Sequence, residues 1–232
     1  MFPLRDENPT EIFPFVTIGL IALNVLIFIY QWSLGPAGLD EQFILTYSLI
    51  PYEVVNGVNI QPVGESNVYS TLLTSMFLHG GIVHILGNMW YLWIFGNNVE
   101  DSLGHGRFLL FYLLAGLGGS LLHVVSGPNS QVPSLGASGA ISGVLGAYLI
   151  LYPRARIITL IVVIIFIQVI KLPALLLIGF WLFFQLLSGA ASVTAAAAGG
   201  VAWFAHIGGF LAGFALILLI PKRRSRLTPV RE

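Results

Sequence analysis

Two polar residues in apolar surroundings have the chemistry needed for acyl transfer. Ser138 lies in the segment Gly136-Ala137-Ser138-Gly139, and His206 lies early in a later apolar run. A serine becomes a nucleophile when a nearby base accepts its proton, and a neutral imidazole can do this near neutral pH. Ser138 and His206 are therefore the candidate nucleophile and general base.

A third segment supplies candidate donors for the negative charge that acyl transfer creates on oxygen. His84 and Asn88 are four residues apart, so they share one face of a helix. Together with the backbone N–H of Ser138, they are candidates for an oxyanion site. No Asp or Glu lies within the apolar runs, so the sequence predicts a Ser–His dyad without an acidic third member. His79 either caps this helix or holds the preceding loop.

The composition indicates a multi-pass membrane protein. Of the 232 residues, 56% are hydrophobic and 9% are charged, and the mean hydropathy is +0.89. A soluble domain of this size does not normally have so few charges. The chain has no cysteine, which excludes disulfides and cysteine-ligated metal or iron–sulfur sites.

Six apolar runs come close to the ~20 residues that a membrane-crossing helix needs. They cover residues 14–32, 82–95, 108–125, 138–152, 172–187 and 201–220. We therefore predict an all-α membrane protein with a six-transmembrane-helix bundle over residues 14–221. Residues 1–13 are predicted to be an N-terminal tail, and residues 222–232 a basic C-terminal tail.

The basic residues predict the orientation. Every Lys and Arg lies in a tail or in the connections after the second and fourth spans. The positive-inside rule places those segments, and hence both termini, in the cytoplasm. The expected location is the cytoplasmic membrane of a bacterium.

Three connecting segments have features of their own. Residues 157–170 are strongly apolar, but a seventh span there would place the basic residues on both sides, so we predict an interfacial or re-entrant segment. Residues 34–67 have amphipathic content and are expected to lie on the outer membrane surface. Residues 188–200 are uncharged and rich in Ala and Gly, as in a mobile cap over a site.

The predicted topology brings the polar residues to one depth. The second, fourth and sixth spans all run from outside to inside, and the candidate residues come early in each. Gly139 and Gly143 match Gly209 and Gly213 in spacing. Small residues at this spacing let two helices approach closely, so Ser138 and His206 are expected to meet.

These motifs together resemble those of the rhomboid family of intramembrane serine proteases. The spacing His-x4-His-x3-Asn from His79 to Asn88, the Gly-x-Ser-Gly around Ser138, and Ala205-His206 with its following glycines all match. The similarity covers residues 78–220. It implies a six-helix fold, with Ser138 as nucleophile, His206 as base, and His84 and Asn88 at the oxyanion site.

The resemblance also implies the substrate and the partners. The expected reaction is cleavage of a single-span membrane protein near the outer membrane boundary, within the lipid bilayer. We expect Trp181, Phe184 and Gly136 to contact the substrate. No cofactor, metal ion or nucleic-acid partner is implied. Two other classes of protein stay open: a catalytically inactive rhomboid-like protein that binds membrane helices, and a small transporter, for which no deep charged residues are seen.

Two features depart from the family pattern, and other polar residues are interpreted as structural. Ser142 occupies the position where family members often have an aromatic residue that supports the histidine ring. The first outer loop has no Trp-Arg pair.

We expect His123 to make a structural hydrogen bond. Glu100 and Asp101 with Arg107 are interpreted as an ordinary interfacial charge cluster.

Overall fold

A computed structural model describes residues 1–60, 67–163, 166–194 and 202–223, with the backbone alone at residues 163, 166, 193 and 194. The described part of the chain is mostly helical. Six longer helices lie at the sites of the predicted spans: α1 (Phe15–Leu34), α5 (Ile82–Leu103), α6 (His105–Ser126), α7 (Ser138–Leu151), α8 (Ala174–Thr194) and α9 (Trp203–Leu219). The described residues between α1 and α5 include the short α-helices α2 (Asp40–Tyr47), α3 (Pro51–Asn56) and α4 (Thr71–Thr74).

The long helices differ in their capacity to cross a membrane. In the described ranges, three segments are long and apolar enough to do so: Phe15–Ala37, His105–Ser126 and Ala174–Ser192. A bent pair, Thr71–Phe77 with Ile82–Leu103, makes a fourth if it counts as one span. α7 and α9 are apolar but shorter, with 14 and 17 residues. The protein is thus a membrane protein, and the described part of its chain has three or four segments long and apolar enough to cross a membrane.

A three-stranded antiparallel sheet corrects the all-α prediction. Its strands are β1 (Phe2–Asp6), β2 (Arg156–Val163) and β3 (Phe166–Pro173), in the order β1-β2-β3. Residues 157–163 and 166–170 therefore belong to two paired antiparallel strands rather than to a re-entrant segment. β2 is rich in β-branched residues, which favour a strand, but the periodicity of a short apolar run does not separate strand from helix. The predicted N-terminal tail supplies the third strand.

The segment between α1 and α5 only partly follows its prediction. α2 has no buried residue, as expected for a helix on a membrane surface. Leu49 and Ile50 are fully buried instead, and Leu49 forms a backbone bridge to Ser134 in the connection before α7. Residues 61–66 lie outside the described residues, as do 195–200 of the predicted cap and 224–232 of the predicted basic tail.

The charged residues at the end of α5 are buried, which corrects their interpretation as an ordinary interfacial cluster. Glu100 is completely buried, and its carboxylate accepts hydrogen bonds from the backbone N–H and the hydroxyl of Thr17, at 2.8 and 2.7 Å. A helix leaves its first N–H groups without intrahelical partners, so Glu100 caps α1 from another helix. Asp101 pairs with Arg223 at 2.8 Å, whereas Arg107 donates to the carbonyl of Pro221.

Glycines at the centre of the bundle allow the helices there to pack closely. α9 packs against both α6 and α7. A β-carbon on Gly209 or Gly213 would overlap the main chain of α7 at Gly139 and Gly143. On the other side, a β-carbon on Gly119 of α6 would lie 2.6 Å from the carbonyl oxygen of Ala205. The predicted close approach of the fourth and sixth apolar segments is confirmed.

Candidate active site

The side chains of Ser138 and His206 are hydrogen-bonded to each other. Ser138 is the first residue of α7 and His206 lies in the first turn of α9. The Nε2 atom of His206 is 2.7 Å from the Oγ atom of Ser138, within the range for a nucleophile and its base. Both residues are only partly buried, so part of the surface of each is accessible.

His84 presents an N–H group towards the chain just before Ser138. The backbone N–H of Gly80 donates to Nδ1 of His84 at 3.3 Å. An imidazole nitrogen that accepts a hydrogen bond carries no proton, so the proton of the neutral ring is on Nε2. A β-carbon on Gly136 would lie 2.8 Å from this Nε2 atom. His84 is therefore in contact with the main chain two residues before the serine.

Asn88 brings a second donor to the same place. Its side chain is buried, and among the described residues its Nδ2 atom has no hydrogen-bond partner. A β-carbon on Gly136 would be 3.6 Å from that atom. The N–H of Ser138, at the first position of α7, has no intrahelical acceptor. The side-chain donors of His84 and Asn88 thus lie beside Gly136, two residues before the N–H of Ser138.

His79 and His123 lie outside this group. The carbonyl of His79 accepts a hydrogen bond from Nε2 of Gln31 at 2.8 Å, which fastens the segment before α5 to α1. Its buried ring lies edge-on to that of His84, with centroids 5.1 Å apart. We predicted a structural hydrogen bond for His123, but its buried Nδ1 atom has no hydrogen-bond partner in the described part of the chain.

Trp181 and Phe184 line a cavity of about 170 Å³. The cavity lies between α5 and α8, and Tyr91 and Phe95 line it from the side of α5. The ring of Trp181 is also 6.2 Å from the ring of His206, centroid to centroid. Trp181 therefore connects the cavity with the Ser–His pair, whereas Phe184 is half-exposed at its edge.

Ser142 does not support the histidine ring. Its hydroxyl donates to the carbonyl of Ser138 at 2.6 Å, inside the tightly packed side of α7. The aromatic contacts to His206 come instead from Trp181 and from Trp203, the latter edge-on at 6.3 Å. The aromatic rings beside His206 thus belong to α8 and α9.

Gln185 contacts His206 although it belongs to none of the sequence motifs. Its Oε1 atom lies 2.7 Å from Nδ1 of His206, and its side chain is buried. A lone amide in an otherwise apolar membrane helix is the signal that could have identified it, because polar groups in such helices usually have partners or a function.

Within the described ranges, no group of three or more His, Cys, Asp or Glu side chains could hold a metal ion.

Comparison with known proteins gives the family. The model of the Rhomboid domain matches residues 66–223. Over 206 residues, 88% of this chain and 60% of the relative, the sequence is 34% identical to RHOMBOID-like protein 6, mitochondrial, of Arabidopsis thaliana. Over 78 residues, 34% of this chain and 15% of the relative, it is 53% identical to Rhomboid protease GluP of Bacillus subtilis (strain 168).

A human relative is more distant. The chain is 32% identical over 141 residues, 60% of this chain and 33% of the relative, to Presenilin-associated rhomboid-like protein, mitochondrial. The chain thus spans less than two thirds of the length of each of these relatives. The family model nevertheless matches more than half of this chain and includes Ser138, His206, His84 and Asn88, so the chain belongs to the rhomboid family.

Proposed function

We propose that this protein is an intramembrane serine endopeptidase that cleaves the membrane segments of single-span proteins near the outer membrane boundary. The observation that carries the proposal is the 2.7 Å hydrogen bond between Nε2 of His206 and Oγ of Ser138. A nucleophile and a base meet there within an apolar helical bundle, where an unpaired polar group would be costly. Membership of the rhomboid family supports the same function.

In the proposed reaction, Oγ of Ser138 attacks the carbonyl carbon of the scissile peptide bond while Nε2 of His206 accepts the hydroxyl proton. The tetrahedral intermediate then collapses, and His206 returns the proton to the departing amine. Water next attacks the acyl-enzyme, with His206 again as base, and releases the new carboxylate. His206 returns the first proton to the amine and the second, taken from water, to Oγ of Ser138 as the ester bond breaks. These steps need no cofactor.

The negative charge on the tetrahedral intermediate requires donors placed in advance. Three donors are suited to this role: Nδ2 of Asn88, which has no hydrogen-bond partner among the described residues, Nε2–H of His84 and the N–H of Ser138. Gly136 lets the chain approach His84 and Asn88 because it lacks a β-carbon. We propose that the substrate backbone lies along this segment.

The cavity between α5 and α8 is the proposed route for the substrate helix. Its lining is apolar and includes Trp181 and Phe184, as expected for a surface that receives a membrane segment. The ring of Trp181 contacts His206, so a segment in the cavity would be next to the dyad.

We further propose that all six long helices cross the membrane, with both termini in the cytoplasm of a bacterium. The distribution of basic residues supports this topology. Because the chain has no cysteine, single cysteines at Asn56 and Arg154 can test it. A membrane-impermeant maleimide should label Asn56→Cys in intact cells and Arg154→Cys only after lysis. The opposite labelling would reverse the proposed orientation.

The activity is tested with purified protein in liposomes that contain a model single-span substrate. The wild type should cleave, Ser138→Ala should not, and the control Ser126→Ala, whose exposed hydroxyl donates to the carbonyl of His123, should cleave normally. Equal cleavage by Ser138→Ala would exclude the proposed nucleophile. Binding without cleavage by the wild type would favour the inactive rhomboid-like binder.

A second test does not require the physiological substrate. A fluorophosphonate reacts with an activated serine by forming a P–O bond as fluoride leaves. We expect it to label Ser138 in the wild type and to lose that label in His206→Ala. Labelling that persists without His206 would mean that another group activates the serine.

A further inference from the structure

Gln185 is placed where it can determine the protonation pattern of His206. It lies on α8, four residues after Trp181, so both side chains are on the same face of that helix. The Gln185 side chain is buried, with 7% of its surface exposed. It reaches across to α9, where Oε1 lies 2.7 Å from Nδ1 of His206.

The two nitrogens of His206 have different partners, and this difference matters for the chemistry. A neutral imidazole carries one proton, on either Nδ1 or Nε2. The amide oxygen of Gln185 accepts only from a protonated Nδ1, which leaves the lone pair on Nε2. Nε2 is the atom that faces Ser138. With the proton on Nε2 instead, His206 could not accept the proton of Ser138.

We propose that Gln185 is a positioning residue that holds His206 in the tautomer with its proton on Nδ1 and aims Nε2 at Ser138. This inference rests on the proposed function, in which His206 is the general base. It extends the dyad to a hydrogen-bonded series from Ser138 through His206 to Gln185, with a neutral amide where other serine hydrolases have a carboxylate.

The arrangement also fits the apolar surroundings. A carboxylate at this depth would bring an additional charge into the bundle, which is costly, whereas an amide accepts the Nδ1 proton without a net charge. The ring of Trp181 lies against His206 from the same helix. Two side chains of α8 therefore fix the ring: one by a hydrogen bond and one by packing.

The tautomer can be measured directly, without any substrate. Nitrogen-15 NMR of histidine-labelled protein distinguishes N–H from lone-pair nitrogens, and the chain has only five histidines, so His206→Gln assigns the signal. We expect the wild type to carry its proton on Nδ1. Gln185→Met, which keeps the length but lacks the amide acceptor, should show a mixture of both tautomers. A wild type with the proton on Nε2 would overturn the inference.

Gln31→Met is a matched control, because Gln31 is also a buried glutamine that bonds across to another segment, at the carbonyl of His79. This variant should lose thermal stability to a similar degree as Gln185→Met and leave the His206 tautomer unchanged. If both variants alter the tautomer equally, the effect is general loosening of the bundle, and the specific role of Gln185 is refuted.

Activity provides a second measurement. Gln185→Met should lower kcat by roughly tenfold to a hundredfold, part of the 10²–10⁴ that general base catalysis contributes, with little change in KM. Gln185→Glu keeps an acceptor at the same place and should restore most of kcat. Equal kcat in the wild type and Gln185→Met would refute the inference and leave the protease intact. A wild type without activity would count against the proposed function, while the NMR result would still decide the role of Gln185.

Discussion

The carbonyl oxygen of Gly139 occupies the place that a β-carbon on Gly209 would need. α7 and α9 therefore meet backbone to backbone, with no side chain between them at this level. Ser138 directly precedes Gly139, and His206 lies one turn before Gly209. The close approach of the two helices thus sets the distance between the candidate nucleophile and its base.

The first prediction concerns this contact. Gly209→Ala should lower the free energy of unfolding by about 1–3 kcal/mol, as for an overpacked core, and should reduce cleavage because α7 and α9 must separate. Gly179→Ala is the control, since a β-carbon on Gly179 meets no described atom within 4 Å. This helical position should gain up to about 1 kcal/mol. Thermal unfolding in detergent checks both variants, and an unchanged midpoint for Gly209→Ala would contradict the packing.

The second prediction separates the site from the scaffold. Gly136 has φ of +128°, which a residue with a side chain rarely adopts, and its β-carbon would press against His84. Gly136→Ala should therefore reduce both cleavage and fluorophosphonate labelling by at least about tenfold, on the order of the 1–3 kcal/mol that backbone strain costs. Gly127→Ala, with φ of −145° and its nearest neighbour at 3.7 Å, should behave like the wild type. Full activity in Gly136→Ala would argue against a role for this contact.

The third prediction concerns Asn88. If its Nδ2 serves the oxyanion, Asn88→Ala should lower kcat by about 10²–10³. The same change removes a buried donor that has no partner among the described residues, so thermal stability should stay the same or rise. Steady-state kinetics and thermal unfolding are measured on one preparation. A loss of stability with unchanged kcat would assign Asn88 a structural role instead.

The parts of the site that depend on residue spacing within a single helix could be predicted from the sequence. Glycines at helical spacing predicted the contact of α7 with α9, and the early positions of Ser138 and His206 in their helices predicted that they would meet. His84 and Asn88 were predicted to share a face by their separation of four residues, and the structure brings both against Gly136. Their catalytic roles remain predictions.

Features that depend on distant partners were not predictable in the same way. In the sequence β2 is only an apolar run, whereas in the structure residues 2–6 pair with it. Glu100 looks like a surface charge near Arg107 until the start of α1 lies over it. Gln185 looks like an isolated polar residue until α8 packs beside α9. In each case the sequence provides the residue, and its partner comes from tertiary packing.

The fourth prediction tests the cap that Glu100 provides for α1. In the wild type, Oε1 of Glu100 accepts from the N–H of Val16 at 2.9 Å and Oε2 accepts from the N–H of Thr17. Gln at this position has one oxygen and one N–H₂ group, so one of these two N–H donors would face another donor. Glu100→Gln should therefore lower the free energy of unfolding by about 1–3 kcal/mol, the cost of a buried group without a partner. Glu7→Gln is the matched control, because Glu7 pairs with a half-exposed Lys171, and such pairs contribute about 0–1 kcal/mol. Equal effects of the two changes would contradict the cap.

The fifth prediction is a pH dependence of stability that comes from Asp6. Its Oδ2 atom accepts hydrogen bonds from Nδ2 of Asn98 at 2.5 Å and from the hydroxyl of Tyr148 at 3.0 Å. Burial nevertheless raises the pKa of Asp6 from 3.8 to about 6, although both hydrogen bonds lower it. The folded protein thus binds a proton more readily than the unfolded chain between these two pH values.

Stability follows from this difference in proton binding. The contribution of Asp6 is fully present below about pH 4 and is lost as the pH rises through 6. Asp6→Asn cannot titrate, so its thermal midpoint should fall less than that of the wild type between pH 4 and 7. Glu7 has the opposite sign, because Lys171 lowers its pKa, but it is present in both proteins and cancels in the comparison. Parallel curves for the two proteins would show that Asp6 does not titrate in this range.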